Sequence, residues 1–326
     1  MKQIRYFVIA VSMLFVCLFS GCKKNTPKTS HTVHIAIQPS AAFIPLYIAR
    51  YQGLVEEALK SSGVTVEWQD FESGPPMIQA LSAGLSDIGV IGDVPTVSAL
   101  SDGSSMKVVG IPATGPDAYA MLSRAHDNSF VTAADMKGKK IATVFGSTGH
   151  NFTKKLLSKY GLSFDDIEFV SIAAGDAEND LASGLCDAVV IWEPNVSRLV
   201  NKGIAKVVAY GSETDLRGTN AFVVRSEYLV AHKDVIKIIL EQYYKAVQLI
   251  PELDEKSLSK LAGALSISPE QVKSIAAKYD FSVTVTKTDI DSLQDTVSFL
   301  VDIGNLSVPY KIINRVDNLF TLEDTL

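Results

Sequence analysis

LSAGLSDIGVI, at residues 81–91, recurs as LASGLCDAVVI at residues 181–191, an offset of 100 positions. Downstream, the Lys-Val-Val run at 107–109 returns at 206–208, with the offset changed by one residue. Each copy combines an apolar helix end, a glycine suited to a helix C-cap and the short β-branched run of a buried parallel strand. Two copies predict two similar α/β lobes, because a solenoid requires three or more repeats.

Predicted strands and helices alternate as far as Asp234, which favours a mainly parallel sheet flanked by helices in each lobe. Beyond Asp234 the apolar spacing is helical, and we expect these helices to pack on the first lobe. The predicted strands are 33–37, 64–68, 140–145, 167–172, 205–210 and 221–225. The predicted helices are 44–60, 77–83, 152–160, 235–249, 258–265, 269–279 and 290–300.

The chain length also favours two lobes, since the roughly 300 residues that follow an N-terminal leader exceed what one core usually holds. Proline and glycine cluster near 112–117, where we place the crossing into lobe 2, and the return lies near 211–220. A pair of crossings makes a hinge. The predicted domains are a first lobe of 32–113 plus 220–326 and a second lobe of 114–219.

The N-terminus has the pattern of a bacterial lipoprotein signal. Basic residues precede an apolar run at 6–19 that is too short for a stable transmembrane helix. The sequence SGC at 20–22 resembles a lipobox, with phenylalanine where leucine is most common. We predict a signal peptide at 1–21, lipid attachment at Cys22 and a polar tether at 22–31. The chain would then lie on the extracytoplasmic side of the cell membrane; an ordinary secretory signal is the alternative.

Composition argues against several classes of function. The chain has a formal charge of −6 and no basic cluster, which argues against a nucleic-acid partner. Cys186 remains after Cys17 leaves with the leader and Cys22 takes lipid, so we expect no disulfide. His31 and His34 have the closest histidine spacing and lie at the edge of the tether, which predicts no metal site. Without a nucleophile elbow, a phosphate-binding loop or a cysteine–histidine pair, we expect neither catalysis nor a cofactor.

Polar and aromatic residues follow predicted strands at four places, 38–40, 92–95, 146–150 and 192–194. Ligands of open α/β sheets bind beyond the carboxyl ends of the strands, so these segments form the predicted site. The candidate ligand-binding residues are Gln38, Ser40, Asp93, Gly146, Ser147, Thr148, His150, Trp192 and Glu193.

Each of these segments has a second interpretation. The small residues at 146–150 leave amide donors free and add hydroxyls, which suits an anion, and they suit a helix N-cap equally well. Trp192 either stacks on a ligand or belongs to the core beside the hinge. Asp93 and Glu193 hold equivalent places in the repeat. They either face each other across the cleft and bind an amine or cap the helices that follow, and capping is favoured.

Short motifs spread along the chain occur in the order that one protein family shows. They are PLYIA at 45–49, QGL at 52–54, ALSAG at 80–84 leading to Asp87, Gly92-Asp93 with Pro95, MKGKKI at 136–141, Gly146-Ser147 with His150, Asp187-Ala188 leading to WEP at 192–194, SLQ at 292–294 and VDN at 316–318. From about Val33 to Phe320 the chain resembles the nitrate/sulfonate/taurine-type solute-binding proteins of ABC importers. Residues 40–43 depart from that family because they lack a charged anchor.

The resemblance implies a type II periplasmic-binding fold whose lobes close on a small ligand and deliver it to a permease and its ATPase. It also implies that backbone and hydroxyl donors hold an oxyanion. The matching positions are Gln38, Ser147 and Thr148 on the anion side, and Asp93, Trp192 and Glu193 on the opposite wall.

The expected function is the capture of a sulfonate-, taurine- or nitrate-like anion by a monomeric, lipid-anchored component of an ABC importer. Two alternatives stay open: binding of a thiamine-pyrimidine precursor or other heteroaromatic, and ligand sensing without transport. An enzyme that makes the thiamine pyrimidine resembles the same family, but it has a cysteine-rich run and an active-site histidine. Cys186 is the one thiol expected here besides the anchor, which argues against this enzyme.

Overall fold

The computed structural model describes residues 31–101 and 105–319. The predicted signal peptide at 1–21, the lipid attachment at Cys22 and almost all of the predicted tether lie outside these residues. Within the described part of the chain, no helix combines the length and the apolar character needed to cross a bilayer.

Strands and helices alternate through most of the fold, as the sequence predicts. The strands are β1 (His31–Ile37), β2 (Val64–Asp70), β3 (Ile88–Gly92), β4 (Met106–Thr114), β5 (Tyr119–Arg124), β6 (Lys140–Thr143), β7 (Glu168–Ser171), β8 (Ala188–Trp192), β9 (Ala205–Tyr210), β10 (Asn220–Arg225) and β11 (Asp280–Phe281). The helices are α1 (Ile44–Gln52), α2 (Leu54–Leu59), α3 (Gly74–Ser82), α4 (Asp93–Ala99), α5 (Thr148–Lys159), α6 (Ala177–Ala182), α7 (Asn195–Asn201), α8 (Ser226–Ala231), α9 (Lys233–Leu249), α10 (Glu255–Leu265), α11 (Pro269–Ala276) and α12 (Lys287–Asp302).

The strands form two sheets with the same internal order. One runs β4-β10-β3-β1-β2, with β11 added at the β4 edge, and the other runs β9-β5-β8-β6-β7. The predicted two-lobed α/β architecture is confirmed. In addition, β10 and β5 run antiparallel to both of their neighbours, which the sequence did not indicate. These are the strands by which the chain enters each sheet from the other one, and an antiparallel neighbour needs no crossover helix.

The connections between the sheets are short. The chain leaves the first sheet after Thr114, turns through Pro116–Ala118 and begins β5 at Tyr119. It returns between Tyr210 and Asn220. β4 therefore runs one residue past the predicted limit of lobe 1, and the division of the chain at these connections stays a prediction of domain boundaries.

The repeated aspartate joins the central strands of the first sheet. Asp87 Oδ2 accepts a hydrogen bond from the His34 amide at 2.8 Å and lies 3.0 Å from His34 Nδ1. Arg225 Nη2 donates to Asp87 Oδ1 at 2.7 Å. One buried carboxylate at the start of β3 thereby holds β1 and β10 on its two sides.

The second sheet repeats this arrangement around β6, β8 and β5. Asp187 Oδ2 accepts from the Lys140 amide at 2.9 Å, and Arg124 Nη2 lies 3.5 Å from its Oδ1. Gly84 and Gly184 follow the preceding helices with left-handed φ angles of 72° and 78°. Each sequence repeat is therefore one structural unit, in which a helix ends, an aspartate bonds to both neighbouring strands and the central strand begins.

We expect Asp87→Ala to lower the free energy of unfolding by about 3 kcal/mol, because it leaves the His34 amide without its acceptor and removes the buried carboxylate that pairs with Arg225. The side chain of Asp87 is 4% exposed and that of Asp187 is 32% exposed. Asp187→Ala should therefore cost only about 1 kcal/mol. Urea unfolding of the two variants measures the difference, and equal losses would contradict the role of Asp87 as the more deeply buried anchor.

Two predicted helices differ from the observed ones at capping residues. The predicted helix 44–60 is interrupted at Gly53, whose left-handed φ of 65° ends α1 and precedes α2. Ser147 accepts the Gly149 amide as an N-cap, so α5 begins at Thr148, four residues earlier than predicted. Apolar spacing alone does not locate these boundaries, because the capping residues lie outside the apolar face.

The helices after Asp234 pack on the first sheet's side of the molecule, as predicted. α9 lies against α1 and α2, α10 lies against α1, and α12 lies against α4. Tyr243 of α9 is fully buried, and its hydroxyl donates to the Pro112 carbonyl at 2.8 Å. This hydrogen bond joins the helical C-terminal part to β4, the strand that leads into the first crossing.

Candidate ligand-binding cleft

Strand ends of the two sheets approach each other across one cleft. A cavity of about 20 Å³ lies between them, room for about one water molecule, so the two walls are almost in contact. The described residues that line it are Gln38, Ser40, Gly74, Gly92, Pro95 and Asn220 from the first lobe, and Tyr119, Thr148 and Trp192 from the second.

Gly92 and Thr148 face each other closely across the cleft. A Cβ atom added at Gly92 would lie 2.5 Å from Thr148 Oγ1, which is less than a van der Waals contact. Beside this point, the Tyr119 hydroxyl interacts with the side chains of Thr148 and Asn220, and burial raises the pKa of this phenol above its usual range. Tyr119 is therefore a neutral hydrogen-bonding group at any physiological pH.

Neutral hydrogen-bonding groups dominate the cavity wall. Gln38 is 6% exposed, and its Oε1 has no hydrogen-bond partner among the described residues. Turning this amide by 180° presents Nε2 instead, so the side chain can offer either an acceptor or a donor. Ser40 Oγ accepts the Ala42 amide at 3.3 Å, which leaves its own hydrogen for another acceptor. The described lining residues include neither lysine nor arginine.

The loop at residues 146–148, before and at the start of α5, positions the Thr148 side chain in the cleft. Ser147 Oγ accepts the Gly149 amide at 3.1 Å, and the Ser147 carbonyl accepts the His150 amide at 3.0 Å. The N-cap interpretation of this loop is therefore what the contacts show, and Thr148 is its member that lines the cavity. Gly146 has a left-handed φ of 72° and donates its amide hydrogen to His150 Nδ1 at 3.3 Å.

His150 does not line the cavity. Its ring packs against aromatic rings from both lobes, and burial lowers the pKa of the imidazole to about 4. The neighbouring rings are Phe145 (centroids 5.0 Å apart), Phe164 (5.4 Å), Phe169 (5.0 Å) and Phe299 (5.3 Å). Its position on the first turn of α5 turns it away from the wall that Thr148 forms.

Asp93 and Glu193 each bond to partners other than one another, and neither lines the cavity. Asp93 Oδ2 accepts from Asn151 Nδ2 of α5 at 3.0 Å and from Thr296 Oγ1 of α12 at 3.1 Å. Its Oδ1 is buried without a partner among the described residues. The hydrogen bond to Asn151 crosses from one lobe to the other.

Glu193 is fully buried beside the hinge. Its Oε2 accepts the Ser197 amide at 3.1 Å in the first turn of α7, and Lys278 Nζ, from the other lobe, bonds to its Oε1. The structure thus places Glu193 as a cap on the next helix, the alternative that the sequence favours. Its negative charge is balanced by Lys278 across the lobe boundary.

Trp192 lines two cavities. Besides the one at the strand ends, it borders a second cavity of about 350 Å³ that opens next to it. Small and apolar residues from both lobes form part of the wall of that second cavity, and Glu72, Asp176 and Arg198 also line it. The small and apolar residues include Pro39, Ala174, Pro194, Ala264 and Leu265.

Tyr119 and Asn220 also line the cleft cavity, although neither lies at a predicted strand end. They begin β5 and β10, the antiparallel strands. The amino end of an antiparallel strand lies at the same sheet edge as the carboxyl ends of its parallel neighbours. The two crossings between the lobes could have indicated these residues, if the strand after each crossing had been predicted to run antiparallel to its neighbours.

A larger cavity of the described chain lies elsewhere. It has about 560 Å³, lies between α5, α12 and the returning connection, and is lined largely by charged side chains such as Lys155, Asp215 and Asp295. We place the candidate site in the smaller cavity because the strand ends of both sheets meet there. Lys155 bonds to Asp215 at 2.9 Å and to Asp295 at 2.5 Å, so this groove is a charged seam between the lobes.

The described residues contain no group of three or more histidine, cysteine or acidic side chains that could hold a metal ion. Cys186 is buried, and burial raises the pKa of its thiol to about 11. A thiol of this kind is a poor nucleophile at neutral pH, because the reactive species is the thiolate.

Comparison with known proteins finds one family and several relatives. A model of the family described as NMT1/THI5 like matches residues 40–256. A Bacillus subtilis (strain 168) protein, named as a candidate aliphatic sulfonates-binding protein, is 28% identical over 319 residues, which cover 96% of this chain and 94% of the relative.

Two solved structures share the fold at similar identity. The alkanesulfonate-binding protein SsuA from Xanthomonas axonopodis pv. citri, bound to MOPS, gives a TM-score of 0.80 at 27% identity and covers 88% of this chain and 98% of its own. The periplasmic aliphatic sulphonate binding protein SsuA from Escherichia coli gives 0.77 at 25% identity, with 87% and 97% covered. These relatives are binding proteins rather than enzymes.

Proposed function

The chain belongs to the NMT1/THI5-like family, and from this premise we propose that it is the extracytoplasmic solute-binding component of an ABC importer. It captures a small sulfonate-, taurine- or nitrate-like anion between its two lobes. Two solved relatives named for binding alkanesulfonates or aliphatic sulphonates support this function.

One observation carries the choice of an anion. The cavity between the lobes is walled from both sides by neutral groups that can donate hydrogen bonds, namely the Gln38 and Asn220 amides and the hydroxyls of Ser40, Tyr119 and Thr148. Sulfonate and nitrate oxygens accept hydrogen bonds and cannot donate them. Each of these groups can therefore donate to such a headgroup, and the described lining has no carboxylate to pair with an ammonium group.

Backbone dipoles compensate the charge of the bound anion. Thr148 lies at the first position of α5, a helix of 12 residues, and the amino end of a helix carries a partial positive charge. The acidic groups nearby are held apart from the ligand, since Glu193 bonds to Lys278 and Asp93 bonds to Asn151. The anion is thus held without a lysine or arginine in the lining described above.

The second cavity favours an organic anion over nitrate. It has about 350 Å³ and shares Trp192 with the headgroup cavity. We propose that the carbon tail of a sulfonate passes Trp192 into this space, where apolar contacts add roughly 0.8 kcal/mol for each buried methylene. A longer alkanesulfonate should then bind more tightly than methanesulfonate.

Ligand binding is coupled to closure of the two lobes. The cavity of about 20 Å³ is smaller than a sulfonate headgroup, so the lobes close around the ligand less tightly than they close here. The ligand shifts the equilibrium by the difference between its affinities for that closed form and for the open form. Hydrogen bonds across the lobes, such as that from Asn151 to Asp93, also form on closure and contribute to the same balance.

We expect Trp192→Ala to weaken binding of an alkanesulfonate about tenfold or more, because it removes the wall shared by both cavities. Ser147→Ala should weaken binding about threefold to tenfold through loss of the helix cap that positions Thr148. Calorimetric titration measures both affinities. Trp68→Phe, on β2 outside the cleft, is the matched control and should bind normally. Unchanged affinity in both cleft variants would contradict the site assignment.

A second candidate ligand is a heteroaromatic such as a thiamine-pyrimidine precursor, because Tyr119 and Trp192 give the cavity aromatic walls. A thermal-shift panel of alkanesulfonates, taurine, nitrate, bicarbonate and aminopyrimidines separates the two. A ligand at about 100 times its dissociation constant adds about 2.7 kcal/mol of stability. Stabilisation by sulfonates supports the proposal, and stabilisation by aminopyrimidines alone overturns it.

The remaining partners follow from the same proposal. The chain would act as a monomer, anchored to the membrane by lipid on Cys22, and would deliver its ligand to an ABC permease and its ATPase. The periplasmic relative from Escherichia coli supports an extracytoplasmic location. No catalytic step is part of this function. A sensing role without transport is the alternative, and ligand-stimulated ATP hydrolysis by the reconstituted transporter would argue against it.

A further inference from the structure

We propose that His150 is a positioning residue of the cleft: its neutral imidazole holds the loop that presents Thr148, and its protonation opens the lobes and releases the ligand. The effect on ligand release rests on the function proposed above. His150 itself touches neither the cleft cavity nor, by its position, the ligand.

The first step of the mechanism is the loss of the hydrogen bond between Gly146 and His150. Gly146 donates its amide hydrogen to His150 Nδ1 at 3.3 Å, and Nδ1 can accept it only while it carries no proton. Gly146 directly precedes Ser147, the cap of α5, and Thr148, which lines the cavity. A proton on Nδ1 therefore removes the bond that fixes this loop in its left-handed turn.

The packing of His150 connects the same side chain to lobe closure. The rings of Phe145, Phe164 and Phe169 surround it within the second lobe, and Phe299 reaches it from α12 of the first lobe with centroids 5.3 Å apart. When the lobes separate, Phe299 withdraws and water can reach the imidazole. The closed form thus excludes the charged state of His150 more strongly than the open form does.

Burial is the cause that lowers the pKa of His150 to about 4. The elements packed around the ring also carry ionisable side chains, whose titration must be separated from that of His150. They are Lys154 and Lys155 on α5, Asp165 and Asp166 in the turn that holds Phe164, Glu168 on β7, and Asp295 and Asp302 on α12.

The direction of the pH effect follows from the lowered pKa. Closure favours the neutral imidazole, so this contribution to closure is complete above the ordinary histidine pKa of about 6.5 and is lost as the pH falls toward about 4. If opening restores the ordinary pKa in full, affinity falls about 30-fold between pH 7.5 and pH 5. Because three of the four neighbouring rings stay in place, a smaller loss, of about threefold or more, also fits the mechanism.

The test is a calorimetric titration of the full-length chain, purified in detergent, with pentane-1-sulfonate at pH 7.5, 6 and 5. This probe is the anion of a strong acid and does not titrate in that range. The wild-type chain should lose affinity as stated, and His150→Gln should change by less than about twofold over the same range. His126→Gln, at an exposed position of the second lobe, is the matched control and should behave as the wild type. Parallel losses in wild type and His150→Gln overturn the proposal.

A second measurement separates this inference from the proposed function. If pentane-1-sulfonate fails to bind at every pH, the proposed function fails, and the loop is then observed directly by NMR in the free chain. The Gly146 amide resonance should shift with the same midpoint as the His150 ring, which is identified by its loss in His150→Gln. A Gly146 resonance that does not follow the His150 titration overturns the positioning role.

Discussion

Gly92→Ala should weaken binding of an alkanesulfonate about 10- to 100-fold while the fold remains intact. The added Cβ would lie 2.5 Å from Thr148 Oγ1 on the opposite wall. Thr148 has two accessible χ1 rotamers, and turning Oγ1 aside would take its hydroxyl away from the headgroup. The added methyl therefore either displaces this donor or keeps the two walls farther apart than the headgroup requires, and both effects weaken the contacts that bridge the ligand.

The backbone at Gly92 makes this a clean substitution. Its φ of −65° is ordinary for any residue, so alanine introduces no local strain and the melting temperature of the free chain should change little. Gly263→Ala in α10, where an added Cβ meets nothing within 4 Å, is the matched control and should bind normally. Calorimetric titration measures the affinities.

A double-mutant cycle assigns the effect to the contact itself. Thr148→Ala removes the atom that would clash, so Gly92→Ala should have almost no additional effect in a chain that already carries Thr148→Ala. If Gly92→Ala binds as the wild type, or if its effect is the same with and without Thr148→Ala, the closed arrangement of these walls is contradicted.

Lys278→Met should lower the free energy of unfolding by about 2–4 kcal/mol, because it leaves the Glu193 carboxylate buried without its counter-charge. Glu193 is fully buried, whereas the Lys278 side chain is 25% exposed. The expected loss of stability is therefore smaller than for an ion pair in which both side chains are fully buried. Removing both charges in Lys278→Met with Glu193→Gln should restore most of the lost stability, since no buried charge then remains.

Urea unfolding measures both variants. Lys287→Met is the matched control: Lys287 pairs with Asp291 on the surface and is 86% exposed, so its loss should change stability by less than about 0.5 kcal/mol. A double variant that is less stable than Lys278→Met alone would contradict the ion pair as the source of the effect.

The fold could be predicted from the sequence because the repeated unit determines which strands lie beside it. In each copy an aspartate, Asp87 or Asp187, precedes a buried strand, and its carboxylate bonds to the strand on either side. The neighbouring strands are equivalent in the two sheets. The antiparallel direction of β5 and β10 could not be predicted in this way. Strand direction depends on how the chain enters the sheet, and β-branched composition is the same for both directions.

The lining of the candidate cavity could be predicted where it follows from strand ends. Gln38, Ser40 and Thr148 come after strands of the two sheets, Trp192 ends β8, and all four line the cavity. His150 is close to them in sequence, but the turn of α5 directs it into an aromatic cluster instead. Helical rotation over two residues is enough to move a side chain from the cleft to the core.

The contacts of Asp93 and Glu193 could not be predicted from the sequence either. Asp93 and Glu193 occupy equivalent places in the repeat, yet their partners come from α5, α12 and the segment after α11, which are not equivalent. An internal repeat predicts backbone geometry well, because the repeat itself encodes it. It does not predict contacts made to parts of the chain outside the repeat.

The central claim is that an anionic solute is held between the two lobes at the strand ends. A crystal structure grown with the tightest-binding alkanesulfonate tests it most directly. We predict density for the sulfonate oxygens within hydrogen-bonding distance of Gln38 and Thr148, with the carbon chain passing Trp192. Density in the charged groove beside Lys155 instead, with the strand-end cavity unchanged, would contradict the account.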